Sequence, residues 1–122
     1  MLINLSNHPQ NKWDIRQIEQ ATKLYGSIRD IAFPAIDPLD KLDVIKKMAL
    51  NYASTCIDLL KKSRDAENAI HVMGELTFCY QFVKIMQQQN IQCIASTSER
   101  TVAYTQDGKV SLFIFQQFRN YY

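Results

Sequence analysis

The feature that most constrains this chain is the regular exchange of short apolar runs for stretches with helical spacing. LINLS (2–6), IRDIAF (28–33), AIHVM (69–73) and IQCIAS (91–96) are short runs rich in β-formers, bounded by breakers such as Asn7-His8-Pro9 and Pro34. Runs this short read as strands rather than core helices. Between them lie three segments with a 3.6-residue period. The first spans Lys12–Tyr25, with Asn11 as its cap, Ile15, Ile18, Thr22 and Tyr25 as its apolar stripe, and Gly26 as its stop. The second opens at Asp37-Pro38, a cap followed by proline at the first helical position. It runs to Lys62 with Leu42, Ile45, Ala49, Tyr52, Cys56 and Leu59 on one side. The third, LTFCYQFVKIMQQQ, is apolar on more than one side and is expected to be buried, with Phe78, Phe82, Val83 and Met86 in the core.

Strands that alternate with helices imply a mostly parallel sheet with right-handed crossovers, flanked by helices. The tail TVAYTQDGKVSLFIFQQF changes character. Its β-formers alternate around Asp107-Gly108, a two-residue hairpin signal. The expected fold class is therefore α/β and Rossmann-like, with a C-terminal β-hairpin, in one domain over residues 1–122.

Composition narrows the function classes. A formal charge of +2 on 122 residues is too small for a duplex nucleic-acid binder steered by a basic face, though a compact anion is compatible with it. Cys56, Cys79 and Cys93 are odd in number, widely spaced and free of any CxxC pair, so reduced thiols and no zinc site are expected. No stretch approaches the length of a membrane span, and MLINLSN is too short for a signal peptide. A soluble, cytoplasmic protein without a membrane partner is the expectation. There is no GxGxxG, Walker loop or GxSxG, which argues against dinucleotide oxidoreductases, NTPases and α/β-hydrolases.

In open α/β sheets ligands bind outside the carboxyl ends of the strands. That rule gathers three polar stretches on one edge: Ser6-Asn7-His8, Gly74-Glu75-Leu76-Thr77, and Ser96-Thr97-Ser98-Glu99-Arg100. Each has a plainer reading beside the functional one. Gly74 serves either a phosphate or close packing. Glu75 is either a site carboxylate or a helix-start residue favoured by the dipole. Thr77 either meets a ligand or bonds local backbone. His8 is a loop histidine or a site residue, and His71, inside a strand, reads as a satisfied core histidine. Arg100 is the cation of its segment. The closing FRNYY crowds aromatics at the chain end, to cover the core or a dimer partner, and Arg119 within it is another anion candidate.

INLSNHP, HVMGELTF, IASTSER and FRNYY together resemble the small CRISPR-associated accessory proteins of type III systems, which are similar to isolated CARF domains. The resemblance implies a homodimer that binds a cyclic oligoadenylate, with cyclic tetraadenylate favoured. It further implies a ring nuclease that cleaves the messenger without metal or other cofactor, by attack of a ribose 2′-OH on the adjacent phosphorus. Linear products with a 2′,3′-cyclic phosphate follow, and antiviral signalling is switched off. The alternative is a non-catalytic messenger-binding module. Carried onto this sequence, the resemblance assigns Ser6, Asn7, Gly74, Thr77, Ser96, Thr97 and Ser98 to ligand binding. His8, Glu75 and Arg100 become the candidate catalytic groups, the first two for proton transfer and the third for phosphate charge.

Overall fold

A computed structural model describes all residues, Met1–Tyr122. In chain order the elements are β1 (Leu2–Ser6), α1 (Ile15–Tyr25), β2 (Ile28–Ala32), α2 (Leu42–Lys62), β3 (Ala69–Met73), α3 (Leu76–Gln88), β4 (Cys93–Thr105) and β5 (Gly108–Asn120). The sheet order is β2-β1-β3-β4-β5. β2, β1, β3 and β4 run parallel, and β5 closes the edge antiparallel to β4. The chain is therefore an α/β domain of Rossmann-like build with a C-terminal hairpin, as its alternating pattern predicts. The connection β1–α1–β2 runs to one side of β1 and β2–α2–β3 crosses to the other. The order consequently reverses between β1 and β3, and ligand sites of such sheets lie at that reversal.

Alternation along the strands assigns the two faces. Ile3, Leu5, Ile70, Val72 and Cys93 face α2 and α3, in one core with Ala49, Cys56, Phe78, Phe82 and Met86. Leu2, Ala69 and Ile94 face α1, where they pack with Ala21, Tyr25, Trp13 and Phe118. The three cysteines are buried and unpaired. Burial pushes the thiols of Cys56 and Cys93 up to about 12 and that of Cys79 to about 11.

Helix starts and faces depart from the sequence reading in definite ways. Gln10–Lys12 form a single 3-10 turn, and α1 begins only after Asp14, whose side chain accepts from the Arg16 N–H at 2.8 Å. Its inward residues are Gln17, Ala21 and Tyr25, whereas Ile15 is 67% exposed. At Asp37-Pro38 the chain makes a turn, with the Asp37 carboxylate accepting from Leu39 N–H, and α2 starts after Lys41.

The largest correction concerns the fourth strand. It does not end near Ser96 but continues for 13 residues to Thr105, because residues 97–105 pair along β5. Thr97–Arg100, which lie past the expected end of the strand, are thus strand residues too. β4 pairs with β3 only through Cys93 and Ile94. Beyond that point it separates, and the carboxyl edge opens. A bulge leaves Gln116 without a partner: Thr97 pairs Gln117 while Ser98 pairs Phe115. Phe115 and Phe118 are three residues apart and would face opposite sides of a regular strand. With the bulge between them their rings meet at 5.0 Å, tilted by 58°, on the α1 side. No helix is long and apolar enough to cross a membrane.

Candidate functional site

One rung across the sheet is polar. Asp30 of β2 registers with Asn4 of β1, and Asn4 with His71 of β3. All three point to the α1 face, where Ser96 of β4 and Gln17 of α1 complete a connected chain of hydrogen bonds. Asn4 Nδ2 donates to Asp30 Oδ1 at 2.8 Å and to the His8 carbonyl at 2.8 Å. Asn4 Oδ1 lies 2.9 Å from His71 Nδ1, and His71 Nε2 lies 2.7 Å from Ser96 Oγ. Gln17 Nε2 donates to the same Ser96 Oγ at 2.9 Å.

The direction of this chain follows from its ends. A carboxylate and a backbone carbonyl are obligate acceptors, so the Asn4 amide must turn its N–H₂ toward them and its oxygen toward His71. His71 Nδ1 then carries the proton and donates to that oxygen. Nε2 is left with a lone pair, and the Ser96 hydroxyl donates to it. Ser96 Oγ in turn accepts from Gln17. The result is a serine held on a neutral imidazole, with an asparagine and an aspartate behind the ring.

The imidazole is 2% exposed, with the Trp13 ring edge-on at 5.1 Å and Phe118 edge-on at 5.8 Å. Burial in this apolar cage, reinforced by nearby His8, pulls its pKa down to about 4. Desolvation disfavours the charged ring and keeps it an acceptor at neutral pH. No buried side-chain nitrogen or oxygen lacks a partner.

The loop after β1 is fastened to this network. The His8 carbonyl accepts from Asn4 Nδ2, Ser6 Oγ and Trp13 Nε1 at 2.8, 3.1 and 2.9 Å. Above the pair lies a cavity of about 500 Å³, whose polar rim includes His8, Lys12, Gln17, Ser96, Thr97 and Ser98, with Trp13, Phe113 and Phe115 as its aromatic walls. His71 reaches it from below.

Of the residues singled out in the sequence, His8, Ser96, Thr97 and Ser98 meet in this cavity. Ser6 and Asn7 line a separate recess of about 260 Å³ beside Asp30 and Phe33. Gly74 opens on a third hollow of about 620 Å³, walled by Leu76, Tyr80, Val83 and the closing Tyr121 and Tyr122. A Cβ on Gly74 would overlap the Phe33 ring, itself edge-on to Phe78 at 5.0 Å. Close packing alone requires this glycine.

Glu75 is the N-cap of α3. Its carboxylate accepts from the Thr77 and Phe78 N–H groups at 3.1 and 2.8 Å and from the Thr77 hydroxyl at 2.7 Å. The Phe78 N–H first, and then the Thr77 hydroxyl, hold its pKa below the ordinary value. Arg100 shares the α1-side face of the hairpin with Ser98 but lies outside the cavity wall, its guanidinium on Ser111 Oγ at 3.0 Å. Tyr121 donates to the Val72 carbonyl at 2.5 Å and Tyr122 to that of Ile91, so the aromatic tail docks on the domain's own backbone. Arg119 is exposed. No group of three His, Cys, Asp or Glu side chains comes together as a metal cage.

Sequence reasoning missed Asn4, Gln17, Lys12, Trp13 and Asp30 as site residues. The available signal was the polar interruption of LINLS by Asn4 and the polar register of Asn4, His71 and Asp30 once the strands are paired in parallel.

Fold and site together define a Rossmann-like α/β domain with an Asp–Asn–His–Ser relay, buried at Asn4 and His71, beneath a cavity at the carboxyl edge of its sheet. The chain belongs to the MJ1673 family, described as an uncharacterized protein family, whose model matches residues 1–119. No curated protein and no solved structure matches it.

Proposed function

We propose that two copies of this chain bind a cyclic oligoadenylate, cyclic tetraadenylate in first place, and cleave it without metal. The products are linear oligoadenylates ending in a 2′,3′-cyclic phosphate. On this reading the protein is a CARF-like ring nuclease that ends type III CRISPR signalling. The observation that carries it is the chemistry of the 500 Å³ cavity at the carboxyl edge. Aromatic walls suit adenine faces, the hydroxyls of Ser96 and Ser98 and the Gln17 amide suit ribose, and Lys12, with the Asp14 carboxylate nearby on the same wall, suits phosphate.

A homodimer presents each of these groups twice, which matches a ring that has its own rotational symmetry. Tyr104 and Leu112 on the hairpin, 76% and 50% exposed, are apolar surface available for such pairing. The non-catalytic reading draws on one observation. Glu75 is engaged as a helix cap and Arg100 with Ser111, so both are already partnered away from any ligand.

Purified protein incubated with cyclic tri-, tetra- and hexaadenylate in EDTA tests the proposal by chromatography, with binding followed by calorimetry. Linear product from at least one ring is expected. Tight binding with every ring intact favours the binding module. Absence of both binding and thermal stabilisation refutes the proposal.

A further inference from the structure

The geometry points to Ser96 and His71 as the proton-accepting pair of that cleavage. Ser96 takes the proton of the ribose 2′-hydroxyl as it passes its own to His71 Nε2. The inference rests on the cleavage reading above, and the pair takes the place of Glu75, one of the two proton-transfer candidates that the resemblance implies. The Glu75 carboxylate is already occupied by the three donors at the start of α3. Ser96, in contrast, is half-buried, opens on the cavity and already donates to a ring nitrogen at 2.7 Å.

The step balances. The 2′-oxygen forms a bond to the adjacent phosphorus as its proton moves to Ser96 Oγ. The Ser96 proton moves to His71 Nε2. The P–O5′ bond breaks with its electron pair on the 5′-oxygen, which takes a proton from solvent. His71 then returns its proton to solvent through Ser96. No oxidant, metal or water is consumed, and the diester becomes a cyclic diester of equal charge.

His71 is a poor base in the empty protein because burial disfavours its cation. The developing charge on the phosphorane supplies the missing counterion, so the imidazolium is favoured as the transition state forms. Asn4 and Asp30 are positioning residues: they hold the ring in the tautomer whose lone pair faces Ser96. The charged or titratable groups nearest the ring are His8 from the β1 loop, Lys12 and Asp14 along the cavity, and Asp30 behind Asn4. The side chains beside it from β4 and β5 are Ile94, Ser96 and Phe118, none of them charged.

Single-turnover cleavage and ligand affinity are measured for the wild type, Ser96→Ala and His71→Gln over pH 4–9. Ser96→Ala is the variant that retains the fold, since its side chain is small and lines open space; circular dichroism checks both. Loss of proton transfer is expected to slow cleavage by about 10²-fold or more in both variants, while affinity falls by no more than the about tenfold that one lost ribose contact accounts for. The acid limb of the wild-type kcat/KM is expected near 4, the limb of kcat lying higher because bound phosphate raises the ring's pKa.

Folded variants that cleave at the wild-type rate overturn the assignment. So does an acid limb of kcat/KM in the ordinary imidazole range of about 6.5. Wild-type protein that binds the rings and leaves them intact overturns the cleavage reading and the proton-transfer role with it, and leaves ring binding standing. Protein that binds none of them overturns ring binding as well.

Discussion

Acid should unfold this protein earlier than its carboxylates alone require, because of His71. A buried histidine held neutral binds its proton only near pH 4, whereas the unfolded chain binds it near 6.5. Between those values the unfolded state carries the extra proton, so stability rises with pH across the window. The His71 contribution is complete above 6.5, declines as the pH falls, and is gone below 4. At about 1.4 kcal/mol per pKa unit the whole window corresponds to about 3 kcal/mol. At pH 5 about 2 kcal/mol of it is already lost.

Urea unfolding of wild type and His71→Gln at pH 7 and pH 5 isolates this effect. Asp14, Asp65 and Glu75, whose carboxyls are held below their ordinary values by local hydrogen bonds, titrate alike in both proteins and cancel. Wild type should lose about 2 kcal/mol more than the variant between the two pH values. The chain has two histidines, so proton NMR follows His71 directly. Equal pH slopes in the two proteins, or a His71 ring that titrates near 6.5, would refute the reasoning.

The native protein is expected to resist thiol-reactive dye at pH 8 and to expose three equivalents in denaturant, since burial raises all three thiol pKa values; rapid labelling of the folded state contradicts this. Gly74→Ala is expected to destabilise by about 1–3 kcal/mol, because its methyl meets the Phe33 ring, and an unchanged midpoint in urea would show that the ring yields freely. Glu75→Ala removes the cap of α3 and is expected to cost about 1 kcal/mol, read as a lower thermal midpoint; Glu75→Asp should recover most of it.

The fold was legible because its signals are local. Five-residue apolar runs, a glycine after Tyr25 and Asp107-Gly108 each act within a few positions of themselves. The site was legible only in part, because its partners are remote in sequence. His71 meets Asn4 across 67 positions, and Gln17 meets Ser96 across 79. Gln17 looks like a solvent residue next to Ile15 and Ile18, yet it lies on the same face as Ala21 and Tyr25, with its amide on Ser96. The reading of His71 as a satisfied core histidine holds as far as burial goes, but its partners are what give it chemistry. Thr97–Arg100 read as lying beyond the strand because their polar side chains mask the pairing that β5 imposes.

The bulge at Gln116 makes β5 a strand of two opposite parities. Residues before it show their odd-numbered side chains to α1, and residues after it their even-numbered ones. Substituting Gln116 leaves both halves in place. Deleting it leaves only Gln117 between Phe115 and Phe118, so a regular ladder opposite Ser96–Ser98 keeps both rings, with Phe113, on the α1 side. The residue bends the strand without being needed for the facing of its aromatic wall. The hairpin therefore tolerates either a change of residue at Gln116 or its loss, whereas a second residue inserted into the bulge has no partner position on β4 to absorb it.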